Sequence, residues 1–161
     1  MNSRLPIAGL GMLLALMAGG CSRTGGGGVK GGDQIPAKTL DQAIGEAIGD
    51  PTTCVLLADP ATGKILYRYG QVFNCVRGLP ACDRPGYLTA TQALKLATTP
   101  GGREKSCHSV PDGSRSVGWA EGEAVGTKRP LIYSAVMEGQ RALPGHEIAA
   151  RLGDAFSDSG L

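Results

Sequence analysis

Apolar residues recur along the chain with a helical period in three places. In residues 39–48 they return every three or four positions, at Leu40, Ala43, Ile44, Ala47 and Ile48. Gly49 and the Asp50-Pro51 break follow and predict the end of this helix. Residues 90–97 and 148–156 repeat this spacing, the first ending at Thr99-Pro100-Gly101 and the second starting after Pro144-Gly145. Capping-box spacings at residues 39–42 and 89–92 mark two of the starts. The pattern predicts three helices.

Five shorter segments have the pattern of strands. Residues 54–58 and 131–137 are apolar on both faces, which indicates central strands. Residues 65–69 alternate in polarity after a turn that contains Asp, Pro and Gly, so they predict a strand nearer an edge. Residues 105–110 and 114–120 flank a second Pro-Asp-Gly turn and predict a hairpin.

Together these elements predict an α+β domain over residues 36–161 with the element order α-β-β-α-β-β-β-α. Placing the two doubly apolar strands side by side gives a single five-stranded, mainly antiparallel sheet of strand order 2-1-5-4-3. The three helices are expected to cover at least one face of this sheet. Residues 71–85 have no period and are predicted to form an irregular loop.

Residues 1–20 have the layout of a secretory signal peptide. Arg4 precedes an apolar run at residues 7–17, which is too short to span a bilayer comfortably, and small residues follow it. The segment ends in Ala18-Gly19-Gly20-Cys21, which resembles the lipobox of bacterial lipoproteins, where the cysteine is acylated and becomes the mature N-terminus. The alternative is a plain signal peptide with an incidental cysteine. We favour lipidation at Cys21 because this cysteine stands where the apolar run meets a Gly-rich segment.

Residues 21–35 are accordingly interpreted as a lipidated cysteine followed by a flexible tether. Ser22, directly after the cysteine, resembles the sorting pattern of outer-membrane lipoproteins. The expected location is therefore outside the cytoplasm, anchored by lipid to the periplasmic face of the outer membrane.

Composition limits the classes of function. A chain of 161 residues has room for one modest domain, and its formal net charge of +2 arises from sixteen basic residues that are scattered rather than clustered. This distribution argues against a nucleic-acid partner. We expect no cofactor.

Four cysteines remain once Cys21 is set aside. An even number in an exported chain predicts two disulfides, and three connectivities are open among Cys54, Cys75, Cys82 and Cys107. A zinc site is the alternative. We expect no metal, because no pair has the close Cys-x-x-Cys spacing of thiolate zinc sites.

Three segments resemble, in their chain order, the sheet subdomain of the penicillin-recognising serine hydrolases, which include β-lactamases and D,D-peptidases. They are the hairpin D-P-A-T-G-K-I-L-Y, the triplet Lys105-Ser106-Cys107 followed by Gly118-Trp119, and the ending P-G-H-E-I-A-A-R-L-G-D-A-F. The resemblance implies a ligand groove lined by Lys105, Ser106 and Trp119. The nucleophile motif Ser-x-x-Lys is absent from the sequence, and its nearest counterpart has Cys82 and Pro85 in those places. No catalytic residue is therefore predicted.

Other side chains have both a functional and an ordinary interpretation. Trp119 and Tyr133 are candidates for a ligand groove or for a cross-strand core pair. Glu121 and Glu123 are candidates for paired acids or for the charged edge of a turn. Cys82 is either a thiol nucleophile or half of a disulfide, and we favour the disulfide because no activating histidine is near it in sequence.

We weigh three functional hypotheses. The first, which we favour, is a non-catalytic, lipid-anchored envelope module with a degenerate penicillin-recognising sheet, which binds a protein or peptidoglycan partner or serves as structure. The second is a dimerising module, because the element order resembles roadblock and profilin-like folds. The third is a hydrolase of peptidoglycan peptides or β-lactams with an unrecognised nucleophile such as Cys82.

Replacing Cys21 by Ser should abolish incorporation of radiolabelled palmitate and release the protein from the membrane fraction, because each buried acyl methylene contributes about 0.8 kcal/mol to membrane binding. Labelling and fractionation of expressing cells measure both effects. The neighbouring change Ser22→Ala should leave acylation intact. Equal labelling of the Cys21→Ser variant would contradict lipidation at this residue.

Overall fold

The computed structural model describes residues 35–98 and 102–161. The predicted signal peptide, Cys21, almost all of the tether and the helix stop at residues 99–101 lie outside the described residues. Within them the chain is an α+β domain with four helices and seven strands. The helices are α1 (Ala37–Ile48), α2 (Val72–Val76), α3 (Ala90–Leu96) and α4 (Gly145–Asp158). The strands are β1 (Cys54–Ala58), β2 (Ile65–Tyr69), β3 (Leu79–Pro80), β4 (Tyr87–Leu88), β5 (Arg103–His108), β6 (Ser116–Glu123) and β7 (Ile132–Gly139).

Five strands form one antiparallel sheet, in the order β2-β1-β7-β6-β5, and β3 pairs with β4 in a separate small sheet. The strand numbers differ from the predicted order 2-1-5-4-3 because the prediction did not include β3 and β4, which lie in the chain between the second and third predicted strands. Strand β1 is buried along its whole length and pairs with both β2 and β7, whereas β2 and β5 form the two edges.

Helices cover both faces of the large sheet. On one face α1 and α4 bury Leu40, Ile44, Ile148, Leu152 and Phe156 against residues of β1 and β7. On the other face α2, α3 and the β3–β4 hairpin cover a second apolar cluster that includes Leu56, Val117 and Trp119. The three central strands can therefore be apolar on both sides.

Two helix starts differ in kind. Thr89 accepts a hydrogen bond from Gln92 N at 3.2 Å, and its own N–H donates to Gln92 Oε1 at 2.9 Å, so the predicted capping box of α3 is confirmed. The box predicted at residues 39–42 is wrong. Helix α1 begins earlier, after Pro36, and the Gln42 amide instead donates to Glu46 at 2.9 Å.

The segment predicted as an irregular loop contains regular structure, namely α2 and the β3–β4 hairpin. Helix α2 has only five residues, and its buried side chains are Asn74 and Cys75. A pattern based on apolar inward positions does not detect such a helix. This addition explains why there are four helices rather than the predicted three.

The start of α4 lies almost in contact with the sheet. A Cβ on Gly145 would come within 2.2 Å of Trp119 O and 2.6 Å of Lys105 N, and one on Gly118 within 2.0 Å of Leu143 O. The Gly145 N–H also donates to Ser106 Oγ at 2.8 Å. Glycine at both positions fixes how closely α4 approaches β5 and β6.

The four cysteines form two disulfides, Cys54–Cys75 and Cys82–Cys107, with Cα–Cα distances of 5.3 and 5.5 Å. The first attaches α2 to β1, and the second attaches the β3–β4 connection to β5. Both bonds lie in the layer formed by α2, α3 and the hairpin.

Replacing Cys54 and Cys75 together by Ala should lower the free energy of unfolding by about 3 kcal/mol, since the bond closes a loop with a sequence separation of 21. Urea titration of the variant and the parent measures the change. Replacing Cys82 and Cys107, which have a separation of 25, should cost a similar amount. Non-reducing peptide mapping that finds Cys54 bonded to Cys107 would contradict this pairing.

Candidate functional site

Of the predicted ligand groove, the structure brings Lys105 and Trp119 together on one face of the sheet and places Ser106 on the other. Successive residues of a strand face opposite sides of the sheet, and these residues follow that rule. Ser106 contacts the start of α4, whereas Lys105 is paired in register with Trp119 and interacts with the β3–β4 connection on the other face. The prediction grouped these residues by their order in the chain, but the strand directs Ser106 away from Lys105 and Trp119.

Lys105 is the centre of a buried ion cluster. Its Nζ donates to Glu121 Oε1 at 3.0 Å and to Asp83 Oδ2 at 3.4 Å, and Arg103 Nη1 lies 3.6 Å from the same Asp83 oxygen. The side chains of Lys105 and Glu121 are only 8% and 1% exposed. Among the residues that the structure describes, Glu121 Oε2 has no hydrogen-bond partner. The amine is thus held between two carboxylates that join β5, β6 and the hairpin.

Glu121 does not lie on the charged edge of a turn, as one interpretation had it. It belongs to β6 and is buried, whereas Glu123 ends that strand and is exposed. The two carboxylates therefore have different environments. The partner that stabilises Glu121 is Lys105, sixteen residues away in sequence.

Trp119 and Tyr133 do not form a cross-strand pair. Trp119 is opposite Val136 and Tyr133 is opposite Gly122, and the two rings belong to the apolar clusters of opposite faces. Trp119 Nε1 donates to Pro80 O at 2.8 Å, which attaches the hairpin to β6. Tyr133 packs edge-on against Phe156, with ring centroids 5.4 Å apart.

The remaining single candidates have structural partners or lie apart from one another. Cys82 is bonded to Cys107, so its sulfur is not a thiolate nucleophile. His108 lies beside Gly113 at the turn between β5 and β6, and His146 is exposed in the first turn of α4.

Glu138, at the end of β7, forms a second ion cluster that sequence reasoning missed. It accepts from Arg115 Nε at 2.8 Å, from Arg115 Nη2 at 2.7 Å, from Ser109 Oγ at 2.8 Å and from Arg77 Nη2 at 3.1 Å. The hydrogen bonds from Arg115, helped by Ser109 and opposed by burial, lower the pKa of Glu138 to about 2. The partners lie 23 to 61 residues away, so no local pattern reveals the cluster.

Helix α2 presents its apolar side chains to solvent. Val72, Phe73 and Val76 are 52%, 63% and 56% exposed. Tyr87, which is 77% exposed, lies against Gly78, two residues after Val76. We call these four residues the α2 surface. It is the candidate functional site that the described residues best support.

Inward contacts hold the α2 surface in place. Cys75 is bonded to Cys54, and Asn74 Nδ2 donates to Pro51 O at 2.8 Å. Arg77, the residue after the helix, is paired with Glu138, and its guanidinium lies 5.8 Å from the centre of the Phe73 ring. The exposed apolar side chains are therefore mounted on a fixed backbone.

Searches of protein-family models, curated proteins and solved structures found no match for the chain. In residues 35–98 and 102–161 no cluster of three or more His, Cys, Asp or Glu side chains is arranged to hold a metal ion. No helix in this part of the chain has the length and apolar character needed to cross a membrane.

Replacing Glu138 by Gln should lower the free energy of unfolding by about 2 kcal/mol at pH 7, because it removes charged hydrogen bonds. The pKa of Glu138 is lowered in the folded protein, so its stabilisation is complete above the ordinary glutamate pKa and disappears as the pH falls toward 2. The difference between parent and variant should therefore shrink between about pH 5 and pH 2.

Urea titrations at several pH values measure this difference. Asp158→Asn, at an exposed carboxylate, is the matched control and should show no such dependence. A Glu138→Gln penalty that stays constant down to pH 2 would contradict the assigned role.

Proposed function

We propose that this protein is a non-catalytic, lipid-anchored module of the cell envelope that binds a partner protein through the α2 surface. The observation that carries the proposal is the exposure of Val72, Phe73, Val76 and Tyr87 around a helix fixed by a disulfide. Single exposed apolar side chains are ordinary, but a group of them marks an interaction site.

Rigidity supports the same conclusion. A surface that is already ordered loses little conformational entropy when a partner binds. The α2 backbone is held by Cys75, Asn74 and Arg77, so the neighbouring apolar side chains are presented in a fixed arrangement.

The chemistry of the α2 surface favours a protein over a glycan strand. Two valines and two aromatic rings gain most from burial against apolar side chains. We therefore propose a protein partner with an apolar or aromatic contact surface, rather than a polysaccharide.

The proposed location is the periplasmic face of the outer membrane, with Cys21 as the lipid attachment site. Two disulfides suit an oxidising compartment outside the cytoplasm. The Gly-rich segment after Cys21 would let the domain reach a partner at some distance from the membrane.

A homodimer is the second candidate function. The α2 surface is apolar enough to pack against its own copy, and a two-fold contact uses the same patch on both subunits. We do not propose a hydrolase that uses Cys82 as its nucleophile, because the sulfur of Cys82 is disulfide-bonded.

A photoreactive benzoylphenylalanine at position 73 should give one discrete cross-linked species when expressing cells are irradiated, because Phe73 is the most exposed of the three apolar side chains of α2. Denaturing electrophoresis and mass spectrometry of the purified product measure its size and its composition. The same amino acid at Lys95, an exposed residue of α3, is the matched control and should give no such species.

Tyr87→Ser, introduced into the protein that carries benzoylphenylalanine at position 73, should weaken the cross-link. It should change the free energy of unfolding by no more than about 0.5 kcal/mol, as expected for an exposed residue. A product with twice the mass of the chain would favour the homodimer. Identical patterns from positions 73 and 95 would rule out the α2 surface as a binding site.

A further inference from the structure

A groove lies on the opposite face from the α2 surface, between α4 and the ends of β5 and β6. Its volume is about 900 Å³. Gly122 and Tyr133 lie on the sheet side, and Ala150, Gly153 and Asp154 lie on the helix side. Because the helix residues are small, the groove is wide enough to admit a side chain or a small molecule.

The groove is lined by acidic residues. Glu104, Glu123 and Asp154 border it and are exposed, and within the described residues none of the three has an ion-pair partner. No lysine or arginine is among the described residues that line it. Unpaired carboxylates in a concave site create a negative potential that attracts cations.

Tyr133 provides an independent indication of a ligand. It is only 7% exposed, yet its hydroxyl has no hydrogen-bond partner in the described part of the chain. Its ring lies beside Gly122, its partner on β6. Glu104 is on the same face of the sheet, opposite Ala120, which is two residues before Gly122 on β6. Tyr133 lines the groove, so its hydroxyl is available to form a hydrogen bond with a ligand there.

The hydroxyl remains neutral over the physiological range. Burial, together with the charges of Glu104 and Glu121, raises the pKa of Tyr133 to about 12. A neutral phenol can accept a hydrogen bond from a cationic donor while donating its own proton to a carboxylate. The groove thus offers a neutral oxygen next to anionic ones.

We propose that this acidic groove binds a primary alkylammonium group, such as the end of a lysine-like side chain in a peptide. An ammonium has three N–H donors, and the Tyr133 hydroxyl and the carboxylates can accept hydrogen bonds from them. The attached aliphatic chain would lie against Val125, Ala149 and Ala150, which also line the groove. This site is separate from the α2 surface and requires no partner protein.

The test uses the full chain carrying Cys21→Ser, with cadaverine (1,5-diaminopentane) as the probe and nuclear magnetic resonance as the readout. Cadaverine should shift the amide signals of Gly122 and Gly153 in a saturable way. The neutral analogue 1,5-pentanediol, which has the same length, should leave these signals in place.

The double variant Glu104→Gln, Asp154→Asn should weaken cadaverine binding by about tenfold, since two ion pairs are lost. Both residues are exposed, so the fold should be kept. Tyr133→Phe should weaken binding by a few-fold through loss of one hydrogen bond. Glu46→Gln, at an exposed carboxylate on α1, is the matched control and should leave the affinity unchanged.

Equal shifts with pentanediol would overturn the proposal. So would shifts that rise without saturation at every surface carboxylate, or an affinity that the double variant leaves unchanged.

Discussion

The structure depends on covering both faces of a sheet whose central strands are apolar on both sides. One cover consists of α1 and α4, with twelve and fourteen residues, and it is held by a continuous apolar contact with β1 and β7. The other consists of two short helices and a hairpin whose two strands have two residues each. That second layer carries both disulfides, the Trp119–Pro80 hydrogen bond, and the ion clusters of Lys105 and Glu138. Covalent and polar attachments there supplement an apolar cluster that is rich in alanine.

The periodic elements could be predicted from sequence, including α3 in the second layer, whereas α2 and the β3–β4 hairpin could not. Helices α3 and α4 follow the spacing of their buried residues, and β1 follows from an apolar run between turns. Helix α2 escapes such rules because its apolar side chains face solvent and its inward positions are Asn74 and Cys75. The disulfide pairing was left open because a spacing of 21 or 25 residues selects no partner.

Candidate site residues were harder to predict than the fold. Lys105 and Ser106 are neighbours in sequence, yet the strand directs them to opposite faces. Trp119 and Tyr133 were assigned to one face because the connection between β6 and β7 is too long to fix the register from sequence. The partners of Glu121 and Glu138 come from distant segments, so their burial depends on the tertiary fold.

The placement of both disulfides in one layer affects the order in which the two layers of the protein are completed. In the part of the chain that the structure describes, the layer of α1 and α4 contains no disulfide, whereas α2 and the hairpin lack their covalent ties to β1 and β5 while the thiols are reduced. Oxidation of the thiols then completes the second layer and sets the position of Phe73 and its neighbours. A chain built in this way acquires its full surface only when its thiols have been oxidised.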